Sequence, residues 1–119
     1  MDIESLRQYC LSKKAVTEDL PFGDTTLVFR IGGKIFALMS LDTEGCQVNL
    51  KCAPERAVEL REQFPDDILP GYHMNKKHWN TVHCDRSLDD SKVRELVGHS
   101  YDLVRASLPK TLREELENL

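Results

Sequence analysis

The hydrophobic period of this chain changes at Thr26, and that switch limits the folds open to it more than any other feature. Before it, Ile3, Leu6 and Cys10 recur at helical spacing with Tyr9 beside them, which predicts an amphipathic helix over residues 3–13. From Thr26 the period is two: Leu27, Phe29 and Ile31 fall on one face, Val28 and Arg30 on the other. Gly32-Gly33 then supplies the positive φ angles of a tight two-residue turn. The run after it, Lys34 to Leu41, is apolar on both faces, with Ile35, Ala37, Met39 and Leu41 alternating with Phe36 and Leu38. Such a strand belongs at the centre of a sheet. A β-hairpin following a helix points to an α+β protein.

The rest of the chain extends that reading. Residues 16–25, with Pro21 and Gly23, read as a loop in which Phe22 plugs the edge of the core. After a turn at residues 42–45, Cys46, Val48, Leu50 and Cys52 face inward while Gln47, Asn49 and Lys51 form a polar comb. A strand of that kind implies an antiparallel sheet with one wet face. Pro54 suits the first turn of a helix, where its missing N–H costs nothing. That helix runs to about Phe64, with Ala57, Leu60, Arg61 and Phe64 inward, and Pro65 stops it. Residues 65–77 are irregular, and Trp79 to Cys84 alternates as a further strand. Ser87-Leu88-Asp89-Asp90 resembles a capping box. It opens the longest helix, whose stripe comprises Val93, Leu96, Val97, Ser100, Tyr101, Val104 and Leu108. Leu112, Leu116 and Leu119 indicate a short terminal helix beyond Pro109.

A chain of 119 residues, 40% apolar and 30% charged, is expected to form one domain around one core, residues 1–119. No apolar run approaches the ~18 residues of a membrane span. The first residues carry acids at Asp2 and Glu4 where a secretory signal would be basic and then apolar, so a cytoplasmic location is expected. Cys10, Cys46, Cys52 and Cys84 are widely spaced without a C-x-x-C pair, which favours free thiols used as small core residues.

Two stretches carry a family resemblance. The first is Asn49-Leu50-Lys51 followed by Pro54-Glu55 and Glu59-Leu60-Arg61; the second is Pro70-Gly71-Tyr72-His73-Met74-Asn75-Lys76-Lys77-His78-Trp79. Together with Pro21-Phe22-Gly23, Gly32-Gly33, Ser100-Tyr101 and Leu108-Pro109-Lys110, they resemble the MmcQ/YjbR family over nearly the whole chain. The resemblance implies an antiparallel sheet with helices packed on one face, similar to frataxin (CyaY-like) domains. It also implies a "double wing" DNA-binding role.

The net charge of −4 runs against a polyanionic partner, but its distribution does not. Segments 26–41, 46–52 and 68–84 hold Arg30, Lys34, Lys51, Lys76 and Lys77 and no Asp or Glu; the acids fall in helices, turns and termini. His73, His78 and His83 lie in the last of these segments. The residues placed as a DNA contact surface are Arg30, Lys34, Gln47, Asn49, Lys51, His73, Asn75, Lys76, Lys77 and His78. The cations suit phosphates, and the amides suit phosphates or base edges on double-stranded DNA. The competing reading is that water-facing strand residues are simply polar. Within the 72–79 loop, Tyr72, Met74 and Trp79 read as architecture, and Lys76, Lys77 and His78 as exposed contacts.

Other chemistries find less support. Histidines five apart alternate faces in a strand, so no metal site is expected. Cys84 follows His83, and adjacent strand residues point apart, so no nucleophile–base pair forms. The acid pairs Asp66-Asp67 and Asp89-Asp90 stand at helix boundaries, where capping explains them. No phosphate-binding glycine loop or cofactor motif occurs, and a non-catalytic protein is expected. The alternative to DNA is a protein-interaction or scaffold domain, with the terminal leucine stripe docking on a partner.

Overall fold

The computed structural model describes residues 1–119. In chain order the elements are α1 (Ile3–Leu11), β1 (Val16–Asp19), β2 (Thr26–Ile31), β3 (Lys34–Ser40), β4 (Gln47–Lys51), α2 (Pro54–Gln63), β5 (Ile68–Pro70), β6 (Trp79–His83), α3 (Asp90–Ala106) and α4 (Lys110–Glu117). All six strands join one antiparallel sheet in the order β1-β2-β3-β4-β6-β5. The helices cover one face, and their apolar stripes meet Phe29, Ala37, Met39, Val48, Leu50 and Val82 in a single buried cluster. The α+β expectation holds. No helix is long and apolar enough to cross a membrane.

Local chemistry sets most of the boundaries. The Asp2 carboxylate accepts from the Ser5 amide at 2.8 Å and caps α1. Pro54 opens α2. All four cysteines are free and buried. Burial pushes the Cys10 thiol up to about 12. In α4, Leu112 and Leu116 pack on the core, while Leu119 stays exposed. Phe22 is 63% exposed, so it plugs nothing.

Three elements depart from the sequence expectation. Residues 16–19 are a strand, not a loop, and residues 68–70 are a second short one. Both lie at sheet edges, where β1 is polar with Glu18 and Asp19 and β5 ends in Pro70. Neither is long enough to display a period. The capping box does not form either. Asp89 holds the N-cap position, and the Ser87 hydroxyl instead donates to the buried Asp67 carboxylate at 2.6 Å. Asp90 meets the amino group of Met1 at 3.1 Å. Capping therefore does not account for Asp67 or Asp90; both make tertiary contacts.

The β2–β3 hairpin holds a β-bulge. Phe29 faces Ala37 and Arg30 faces Ile35, so Phe36 is the extra residue. Strict alternation would set Phe36 and Ala37 on opposite faces. The bulge sends both into the core, where the Phe36 ring meets Tyr101 edge-on, centroids 5.4 Å apart. Residues before and after Phe36 consequently lie out of phase with each other.

A histidine joins α3 to the start of α2. The Ala53 amide donates to His99 Nε2 at 3.3 Å, which requires the neutral ring. Burial, then the nearby Arg56 charge, holds His99 below the ordinary imidazole value, and burial and Arg86 do the same for His83. The unfolded chain therefore takes up these protons more readily, and stability falls as pH drops through the ordinary histidine value of about 6.5. Asp2 and Glu95 are shifted down as well, but they act at lower pH. Urea midpoints should decline between about pH 7.5 and about pH 5.5, and less so in His99→Gln. A slope unchanged by that substitution would remove His99 from the account.

Candidate nucleic-acid interface

The polar comb of β4 lies on the face away from the helices. Gln47, Asn49 and Lys51 alternate with the core residues Val48 and Leu50, opposite His83, Thr81 and Trp79 of β6. Two of the five predicted cations do not join it as free charges. Arg30 lies on the same face, but its Nε donates to Asp19 Oδ1 at 3.0 Å and its Nη1 to the Gly33 carbonyl at 3.1 Å. Asp19 belongs to β1, a strand where the sequence predicts a loop, so the acids are not confined to helices, turns and termini. Lys34 sits opposite the core residue Ile31, and its Nζ is 3.5 Å from the Ser107 hydroxyl after α3. The bulge at Phe36 sets Lys34 on the helix-covered side.

Of the three amides, Asn49 is spent internally and Asn75 in part. Asn49 Nδ2 donates to the Tyr72 carbonyl at 3.2 Å, and its Oδ1 accepts from the Thr81 hydroxyl at 2.5 Å. The same hydroxyl accepts the Tyr72 amide at 3.0 Å. Asn75 Oδ1 accepts from the Lys77 amide at 2.9 Å and closes a local turn. Asn49 is therefore not left to read a base edge, whereas the exposed Asn75 keeps its Nδ2 without a partner.

The remaining positive groups gather around the connection between β5 and β6. Lys76 Nζ donates to the Gly71 carbonyl at 3.2 Å. His73 and Lys77 are exposed, and His78 is half-buried before Trp79. The sequence sets Arg61 in the inner stripe of α2, and the structure makes it the brace of this loop. Its Nε donates to Asn80 Oδ1 at 2.7 Å, and its Nη2 to the carbonyls of Lys76 and, at 3.4 Å, Trp79. An arginine among Ala57, Leu60 and Phe64 was the available signal.

Six of the sixteen lysines and arginines form ion pairs, and none of the six lies at this loop. Arg7, Arg30, Arg56, Lys92, Arg105 and Lys110 all pair with carboxylates. Lys51, Arg61, Lys76 and Lys77 pair with none. Trp79 and Met74 are partly buried, as architecture requires, but Tyr72 is 65% exposed, against the expectation that it is architectural. Its ring packs on that of His73, centroids 4.0 Å apart, and His73 holds a left-handed φ of 58°. No three His, Cys, Asp or Glu side chains converge in a metal-holding arrangement.

An open antiparallel sheet, helix-covered behind and carrying a basic loop in front, is the class of domain these observations define. The chain belongs to the YjbR family, whose family model matches residues 11–103. It is 34% identical to the uncharacterized protein YjbR of Escherichia coli K12 over 119 residues, the full length of both. It is 39% identical to the uncharacterized protein YbdF of Escherichia coli O157:H7, over 90% of this chain and 87% of that one. The crystal structure of the Deinococcus radiodurans protein DR2400, of domain family DUF419, superposes with a TM-score of 0.92 at 38% identity, covering 98% of this chain and 88% of that one. A Pseudomonas syringae protein superposes with a TM-score of 0.73 at 27% identity, covering 87% of this chain and 99% of that one. None of these names specifies an activity.

Proposed function

We propose that the protein is a non-catalytic DNA-binding module whose contact surface is the corner formed by Lys51, Lys76 and Lys77, with His73 and His78 beside them. The supporting observation is the charge segregation. In a molecule of net charge −4, this corner gathers three lysines from segments that contain no Asp or Glu, and none of the three forms an ion pair. Phosphate contacts from such groups release counterions, and that release is the main source of sequence-independent affinity. The DNA-binding role implied by the family resemblance points the same way. Gln47 and the Nδ2 of Asn75 complete the polar row, whereas Arg30 and Asn49 are occupied elsewhere, Lys34 lies on the helix-covered side, and these three leave the proposed contact set.

Titration of labelled DNA by fluorescence anisotropy tests the proposal. Three free lysines predict a log–log salt slope of about −2 to −3. The combined Lys51→Ala, Lys76→Ala and Lys77→Ala variant should lose at least about tenfold in affinity at low salt, with the slope moving toward zero. Absence of binding at low salt, or equal binding by the triple variant, would reject DNA as the partner.

A further inference from the structure

We propose that Tyr72 is a stacking platform for an unpaired base, so that this surface prefers single-stranded DNA to a closed duplex; the inference rests on the DNA-binding reading above and specifies its ligand. A tyrosine on a mobile loop would be unremarkable at 65% exposure, but Tyr72 has both of its backbone polar groups hydrogen-bonded to strand side chains. Its amide is fixed by Thr81, its carbonyl by Asn49, and these two side chains are hydrogen-bonded to one another across β4 and β6. The next residue, His73, takes the left-handed conformation that L side chains avoid, and its ring packs against the phenol. The strands thus fix the backbone from which a large aromatic side chain projects into solvent.

The charges beside it identify the ligand. Lys76 Nζ bonds the Gly71 carbonyl, one residue from Tyr72. Lys51 lies two residues along β4 from Asn49 on the same face, roughly 7 Å away at the rise of a strand. An aromatic face flanked by cations is how sequence-tolerant single-strand binders engage a base and its neighbouring phosphates. In a closed duplex every base face is already covered by its neighbours, leaving only phosphates to contact. Charge alone would favour the duplex, which carries the denser row of phosphates. Preference for the single strand therefore isolates the contribution of stacking.

The test measures anisotropy of an oligothymidylate and of a duplex of equal length, with wild type, Tyr72→Ala and Tyr72→Phe, each checked by thermal melting. Wild type should bind the single strand several-fold more tightly than the duplex. Tyr72→Ala should weaken single-strand binding about tenfold and leave duplex binding within about twofold, while Tyr72→Phe keeps the preference, since stacking needs the ring and not the hydroxyl. Duplex binding equal to or tighter than single-strand binding overturns the platform, as does a Tyr72→Ala variant that behaves like wild type. If duplex binding also falls in the lysine triple variant, the DNA-binding reading survives that result. If neither form of DNA binds, both readings fall. An oligouridylate that binds more tightly than the oligothymidylate overturns the assignment to DNA.

Discussion

Replacing Ser100 with alanine should destabilise the fold by about 2–4 kcal/mol and lower the melting temperature by roughly 10 °C. Ser100 is fully buried in α3. Its hydroxyl donates to the Phe36 carbonyl at 2.6 Å and accepts the Lys51 amide at 2.9 Å. The β3–β4 pairing ends at Ala37 opposite Leu50, so Phe36 and Lys51 would have formed the next pair. Because Phe36 is the bulged residue, the serine hydroxyl stands between their peptide groups and satisfies both. Alanine removes it and leaves a buried donor and a buried acceptor, each costing about 1–3 kcal/mol, less what closer approach of the strands recovers. Urea denaturation beside Ser107→Ala, whose side chain lies at the surface end of α3, gives the comparison. A loss below about 0.5 kcal/mol for Ser100→Ala would mean that the strands close the gap unaided.

Arg61→Ala should cost about 2–3 kcal/mol and loosen the loop from Tyr72 to His78. Asn80 is 2% exposed; its Nδ2 donates to the Ala57 carbonyl, and its Oδ1 has the Arg61 guanidinium as donor. Truncation leaves that oxygen buried without a donor and frees the carbonyls of Lys76 and Trp79. Arg61→Lys should not restore the wild type, because one ammonium cannot span the three acceptors that the planar fork reaches. Hydrogen exchange should accelerate at the loop amides, and DNA affinity should fall further than loss of a single charge explains. Full recovery by lysine would reduce Arg61 to a charge and end its role as a brace.

The sequence foretold what short-range chemistry controls. The hairpin followed from period two and Gly32-Gly33, α2 from Pro54, and α3 from its apolar stripe. The carboxylate-free segments likewise pointed to Lys51, Lys76 and Lys77. What stayed hidden depends on pairing between distant residues. The Phe36 bulge becomes evident only when β2, β3 and α3 are assembled, and with it the face taken by Lys34. Asp19 lies in a four-residue strand too polar to recognise, so its neutralisation of Arg30 was invisible. Asn49 looked like a reader of bases because nothing in its neighbourhood along the chain announces Tyr72 or Thr81 as partners.

The two ends of the sheet have a consequence for behaviour in concentrated solution. An unpaired strand invites another copy to add on, and repeated addition yields fibrils. Here one margin is four residues long, with its Glu18 and Asp19 side chains held in ion pairs by Arg7 and Arg30, and the other has three residues closed by Pro70, which offers no N–H to a newcomer. Both margins are therefore short, poor templates for growth by strand addition.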